Sequence, residues 1–586
     1  MSTLLTPLRQ NLQTVYQRHH DFVLLFILFV AFRGLALVAF RPGGLVLDHS
    51  DFYWYREFAQ LTRQGYYPYY NIWINYPPLF PWVMVAIFQV SELIPPWDYA
   101  NLWFTLLLGG FFLLFEAGNF ILLYLLALEL YPAQETGLNS TPALRPCWLY
   151  AALFVPVYTL TGWFENYPIF FFLLSLYLLL KNRPYLSAFL AGVGFMIKLF
   201  PVILLPIAAQ LVSKKKLEIK HIISHFSLPF DLPRILLYLA IFAATVILIG
   251  LPFYLMNPAL ILGSQQINDA RLPWQTIWAL LDGNYNYGSL PLDLRNLAWN
   301  PANKEATSIP WLPITAGFGL IYAFFYTRPL NWRRPRIALA FVGFTVCLFM
   351  IWSKGYSPQW LGWVLFFIAL LLPNLRGVIY AVILSVANII EANFYFIIFP
   401  TEHWLFAVTI LTRTFLFIIV GIEFLWLIWP PSARVIKIRA WAVAGVLAIL
   451  LVGLIPAGLR LSQAYVDLRQ QQSPYAATIT RLQGEKVKGA LLLNSHTTYD
   501  WFYPYLRRDY TLYMLDDYAP PGASVTERTT TLLNRITGQT KVLWIYDTDA
   551  SVTTPAEEAL SAWLGDTPLA HIQDIDGGRL YLFILR

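Results

Sequence analysis

Charge is what this chain has least of. Only 12% of its 586 residues are Asp, Glu, Lys or Arg, about half the share of an ordinary soluble domain. With 58% of residues hydrophobic and a mean hydropathy of +0.54, a soluble globular fold is excluded. A core of that size cannot hide so much apolar surface, so lipid must solvate most of the chain. Cysteine is nearly absent. The two, Cys147 and Cys347, lie in or beside apolar runs and read as lipid-buried free thiols rather than a disulfide framework. No internal repeat or low-complexity tract stands out, and His49 has no second His or Cys at metal-ligand spacing. A cleavable signal peptide is not expected either. The first apolar run, 22–40, exceeds a typical signal core and runs into "FRPGG" without a small-residue cleavage site, so it reads as a retained first span.

What the chain has in quantity is aromatic rings, 17% of residues with 22 Trp, which suits interfacial belts and an aromatic-lined cavity. Apolar runs at 22–40, 79–95, 102–130, 147–161, 168–180, 185–212 (broken near Pro201), 235–256, 311–327, 336–352, 360–373, 376–399, 404–428 and 439–457 predict about 12–13 transmembrane helices. The net charge of +7 comes from Lys and Arg in short loops, an orientation signal rather than a nucleic-acid footprint. Placing the clusters around Arg9, Lys181, Lys214–Lys216, Arg333 and Arg434 in the cytoplasm puts loops 41–78 and 257–310, the turns 162–167 and 353–359, and everything after 458 outside. Parity then requires that 79–95 not cross, or that 102–130 break near Gly109, Gly110 and Glu116. The first is preferred, because "YPPLFPW" begins a regular spanning helix poorly. After 458 the pattern changes. "GALLLNSH", "TLYMLDD", "KVLWIYDT" and "RLYLFIL" are strand-length runs alternating with helical stretches 525–537 and 555–564. The expected fold class is an α-helical polytopic membrane protein with a small C-terminal extracytoplasmic α/β domain, divided as residues 1–457 and 458–586.

The polar residues gather on one expected face. "DHSDFYWYREFAQLTRQGYYPYYNIWINYPPLFPW", residues 48–82, carries Asp48, His49, Asp51, Tyr55, Arg56, Arg63 and Tyr76. "TGWFENYP" adds Glu165 and Asn166, and "GFMIKLFP" adds Lys198. The loop 257–310 adds Gln265, Gln266, Asp269, Arg271 and Trp274, and "WSKGYSPQW" adds Lys354 and Gln359. Ionisable groups at a membrane edge are costly and so are functional candidates. Each has a plainer reading. Asp51 or Ser50 would cap the helix that follows, Lys198 would snorkel to the interface, and Glu165 and Asn166 would satisfy backbone groups in a tight turn.

These stretches resemble the GT-C superfamily of polytopic glycosyltransferases, which use polyprenyl-phosphate sugars as donors. "SDFYWYREFAQLTRQGYYPY" with "YPPL", "FENYPIFFFLLSLYLLLKNRPYLSAFLAGVGFMIKLFPVILLP" and "SPQW" look like the polyprenol-phosphate-mannose-dependent mannosyltransferases. The general plan with its outer tail is similar to bacterial relatives of the protein O-mannosyltransferases. The likeness spans most of residues 20–430. It departs at two points: the carboxylates are spaced Asp-X-X-Asp here, and "WFEN" stands where Gly-Gln-X-Asn is common. These leave the metal and the sugar open.

The resemblance implies transfer of mannose or a similar hexose from a polyprenyl-phosphate donor to a lipid, glycan or protein acceptor. The active site would lie on the extracytoplasmic face of a bacterial plasma membrane. Asp51, or Asp48 as second choice, would be the base. Lys198, Arg271, Lys354 and Arg56 would hold the departing phosphate. His49, Tyr55, Tyr76, Glu165, Asn166, Trp274 and Gln359 would contact substrate. A divalent ion, Mg or Mn, would sit at Asp48 and Asp51 if one takes part. Nucleic acid is not an expected partner. The competing readings are a transporter or flippase of a polar or lipid-linked solute, and a scaffold whose tail recruits partners.

Overall fold

The computed structural model describes residues 2–39, 51–95, 102–132, 142–219, 226–263, 271–286, 288, 307–493, 496–514, 525–547, 562 and 569–585. It is mostly helical and divides into two compact units, residues 1–440 and 441–586.

Apolar sequence without polar punctuation makes the first unit a bundle, since in lipid each backbone N–H must be satisfied within its own helix. In chain order it contains α1 (Ser2–Ala39), α2 (Phe52–Gln60), α3 (Leu79–Glu92), α4 (Leu102–Leu130), α5 (Leu144–Ala151), α6 (Phe154–Leu160), α7 (Asn166–Leu180), α8 (Pro184–Phe195) and α9 (Leu204–Val212). A two-stranded antiparallel hairpin follows, β1 (Lys216–Ile219) and β2 (Phe226–Pro229). Then come α10 (Leu232–Met256), α11 (Ile277–Leu281), α12 (Trp311–Tyr326), α13 (Pro335–Trp352), α14 (Leu361–Leu371), α15 (Leu375–Ile389), whose end widens into a π-helix over Ile390–Ile398, and α16 (His403–Ile428). The helix α17 (Ala433–Gln471) leads from the first unit into the second.

Among the described residues, six helices are long and apolar enough to cross a membrane: His19–Ala39, Leu102–Leu130, Leu232–Met256, Pro335–Trp352, Leu375–Ile397 and His403–Ile428. Several expected spans are shorter in the structure. The run 147–161 is two helices, α5 and α6, and 185–212 breaks around the 3-10 turn Phe200–Ile203. At 1.5 Å per residue α7 and α8 are about 22 and 18 Å long, less than the ~30 Å of a hydrocarbon core. Both stop where Glu165 and Lys198 stand.

Hydrogen bonds identify the two ends of the bundle. At one end Asp51 N donates to Gly162 O (3.1 Å), and Trp274 N donates to Lys354 O (3.3 Å). At the other, Lys181 pairs with Glu129, Tyr131 Oη donates to Leu370 O (3.0 Å), and Glu423 takes both Arg376 and Arg439. Helix α3 begins with Leu79 N donating to Met196 O (3.1 Å). It finishes with Gln89 on Thr62 and Glu92 paired to Arg63, both attached to the loop after α2. The start of α3 is thus tied to the end of α8 and its finish to the 3-10 turn Leu61–Gln64 that extends α2.

The second unit holds α18 (Ala476–Gly484), β3 (Ala490–Leu493), α19 (His496–Leu506), β4 (Thr511–Met514), α20 (Val525–Thr537), β5 (Val542–Asp547), β6 (Leu569–Ile575) and β7 (Gly578–Ile584). The sheet order is β4-β3-β5-β7-β6, with β3 parallel to β4 and β5, and β7 antiparallel to β5 and β6. Leu491 and Trp544 face one layer, and Leu492 and Ile545 the other, the alternation a sheet covered on both sides demands. Four strands coincide with the expected runs and β6 is additional. Of the expected helix 555–564 only residue 562 is among the described residues.

Candidate functional site

Asp51 stands just ahead of α2, whose buried face is Phe52, Tyr55 and Ala59, the i, i+3, i+7 stripe of a half-buried helix. Its carboxylate caps no backbone N–H of that helix. It accepts instead from Tyr55 Oη at 3.2 Å. Loss of hydration raises the Asp51 pKa to about 7; the Tyr55 hydrogen bond opposes this, Glu165 adds to it, and Lys198 and Arg271 oppose it. The helix-cap account of Asp51 therefore fails, and the carboxylate is poised near neutrality, where a general base works best.

Lys198 sits in the break after α8. Its ammonium donates to Glu165 Oε1 at 2.5 Å. It lies 5.0, 4.9 and 5.3 Å from the ring centroids of Phe164, Trp360 and Trp363. The side chain is only 15% exposed and that of Glu165 1%, so Lys198 points into the protein rather than snorkelling outward. Glu165, at the N-cap of α7, caps no backbone N–H. Asn166 is buried, its carbonyl accepts from Asn119 Nδ2 at 3.0 Å, and its own Nδ2 meets no hydrogen-bond partner among the described residues. Phe80 stacks on Phe164 at 3.9 Å, and Tyr55 and Tyr76 meet these rings edge-on.

Arg271 is within electrostatic reach of Asp51 and Tyr76, and its guanidinium lies 5.3 Å from the Trp274 ring centroid. Trp274 is buried and bridges the 353–356 turn, with its N–H on Lys354 O (3.3 Å) and its carbonyl taking Tyr356 N (3.0 Å). A Cβ on Gly355 would fall 2.1 Å from that indole, so only glycine lets the ring lie there. Gln359 is buried in the adjoining 3-10 turn.

Burial pushes the Asp282 carboxyl up, and hydrogen bonds from Ser308 and Thr307, with the charge of Lys354, bring it below its usual range. Arg56 turns along α2 to Gln60 at 3.4 Å. Asp48, His49, Gln265, Gln266 and Asp269 lie outside the described residues. Among the described residues, no three His, Cys, Asp or Glu side chains cluster as metal ligands would.

Sequence reasoning missed two buried ion pairs inside spans: Arg33–Glu116 (3.2 Å) and Arg413–Glu391 (2.6 Å). It also missed Tyr158, whose buried hydroxyl has no partner among the described residues and lies within electrostatic reach of Asp51 and Glu391. The signal was present: a single charge in the middle of "VAFRGLAL", "LLFEAGNF", "NIIEANFY" and "TILTRTFL".

Next to Lys198 runs an apolar groove of about 510 Å³, lined by Tyr69, Pro77, Pro78, Met196, Leu199 and Tyr254 among others. Its α10 wall is exposed at Ile247, Leu251 and Tyr254. Comparison with models of protein families and with curated protein sequences finds no match.

Proposed function

We propose that this protein is a GT-C-like membrane glycosyltransferase that moves a hexose from a polyprenyl-phosphate donor to an acceptor hydroxyl. The observation that carries this reading is that Asp51 lies within electrostatic reach of both Lys198 and Arg271, while Met196 and Leu199, on either side of Lys198 in the chain, line an apolar groove with an exposed wall. A lipid-phosphate sugar needs those features together: a path for the chain, cations for the phosphate and a base for the acceptor. Basic clusters such as Lys181 with Arg183 follow the far end of α7 from Glu165, and the positive-inside rule supports an extracytoplasmic side for Asp51 and Glu165.

In this mechanism the acceptor oxygen attacks the anomeric carbon as Asp51 takes its proton. The bond from that carbon to the phosphate oxygen breaks, and the electron pair leaves with the lipid phosphate toward Lys198 and Arg271. One displacement inverts the anomeric centre. Lys198 already serves Glu165, so the phosphate shares that ammonium and Arg271 supplies the second charge. If a divalent ion takes part, Asp51 with Asp48 would hold it, supplying further charge for the phosphate. Rings of Tyr55, Tyr76, Phe164 and Trp360 form the sugar wall. The test is transfer from radiolabelled polyprenyl-phosphate sugars by the full chain in membranes. Absence of transfer from every such donor overturns the reading.

The buried pairs Arg33–Glu116 and Arg413–Glu391 favour a second reading, a transporter or flippase, because charges inside spans mark solute and proton paths. Solute movement into vesicles without glycosyl transfer would establish it instead.

A further inference from the structure

Arg413 and Glu391 are 2% and 0% exposed inside two neighbouring spans. An apolar pair would join α15 and α16 with less desolvation, so the cost of this pair calls for a use. Glu391 Oε2 accepts from Arg413 Nη1 (2.6 Å) and Thr409 Oγ1 (3.0 Å). The other arm of the guanidinium, Nη2, leaves the helix pair and donates to Gln275 O at 2.5 Å. The same guanidinium lies over Tyr356, its Cζ 3.7 Å from the ring centroid. Tyr356 Oη in turn donates to Asn388 Oδ1 (2.9 Å), and Asn388 Nδ2 to Pro358 O (3.0 Å).

Gln275 has φ +53°, a left-handed conformation that is strained for a side-chain-bearing residue and persists only where surroundings enforce it. Its side-chain amide, turned with nitrogen toward Tyr356 O and Glu391 Oε1 (3.3 Å each), fits the same corner. The strained residue follows Trp274 directly, and Arg271 lies over the Trp274 ring.

We propose that Arg413, anchored by Glu391, is a positioning residue that holds the 271–276 segment by the Gln275 carbonyl and so fixes where Arg271 stands beside Asp51. That Arg271 then receives a phosphate rests on the function proposed above; the strut itself does not. The forked guanidinium matters because one planar group serves the carboxylate and the carbonyl at once. A lysine brings one point charge to Glu391 and gives up the second arm.

The test uses the full chain in lipid nanodiscs, comparing wild type with Arg413→Lys, Arg271→Gln and the double variant. Arg33→Lys, which alters the other buried pair, is the control. The strut predicts that Arg413→Lys keeps the melting temperature within a few degrees yet speeds amide exchange across 271–286 by about tenfold, the loss of one charge-assisted hydrogen bond. Arg33→Lys leaves exchange in that segment at the wild-type rate. Undecaprenyl phosphate should bind Arg413→Lys about tenfold more weakly than wild type, with no further loss when Arg413→Lys is added to Arg271→Gln. Unchanged exchange in 271–286, or an equal loss of binding in both backgrounds, overturns the proposal. If wild type does not bind undecaprenyl phosphate, the lipid-phosphate reading falls and the exchange measurement alone decides the strut.

Discussion

Lys198 and Glu165 form a 2.5 Å ion pair walled by the rings of Phe164, Trp360 and Trp363. Neither partner is hydrated enough to stand alone. Glu165→Gln should lower stability by about 3–5 kcal/mol, because it strands a buried ammonium. Glu165→Gln with Lys198→Met should recover most of that loss. Thermal unfolding in detergent measures both, and a wild-type midpoint for the single variant would contradict the pairing.

Asp51→Asn keeps the size and the contact with Tyr55 but removes the base. Transfer from radiolabelled polyprenyl-phosphate sugars should fall by about 10²–10⁴-fold with the melting temperature unchanged or raised. Full transferase activity in a folded Asp51→Asn variant would remove Asp51 from the mechanism.

The Asp51 pKa of about 7 has two consequences of opposite sign. Activity should rise with pH through about 7 and then level, since the base works deprotonated. Stability should move the other way. Between the unfolded carboxylate pKa, about 4, and about 7 the folded state binds more protons than the unfolded state, so stability falls as pH rises across that window. Asp51→Asn should flatten this slope, and unfolding midpoints at pH 4.5 and 8 for both proteins measure the difference.

Both native cysteines are buried, so an introduced thiol reads against a low background. Tyr66 and Leu93 are 40% and 83% exposed and flank α3. Tyr66→Cys and Leu93→Cys should react with an impermeant maleimide from the same side of the membrane, and Lys214→Cys only from the other. Labelling of the first two from opposite sides would mean that α3 crosses.

Much of the bundle was legible because lipid leaves little choice. Apolar runs become helices, and Pro201 interrupts one where expected. That break leaves α8 and α9 short, whereas the division of 147–161 into α5 and α6 is disclosed by no run length. Asp51, Glu165 and Lys198 stood out as charges beside apolar sequence, and they meet in the fold. Arg56 stood out equally and turns along its own helix to Gln60 instead. Nothing in one dimension says which way such a side chain points. The roles of Arg413 and Glu391 were hidden for a related reason: each is one charge in an apolar run, and their meaning lies in a partner 22 residues away and a carbonyl 138 residues away.

By itself the sequence determined that this is a membrane protein, roughly where its helices run, and that its tail alternates strand and helix, since burial in lipid and backbone satisfaction are local demands of composition and period. Only the tertiary structure decided which charges come within reach of one another, that the end of α3 is tied back to the turn after α2, and that Arg413 reaches the Gln275 carbonyl. Those outcomes depend on distances between segments far apart in the chain, and a charge's energy is set by what surrounds it rather than by what precedes it.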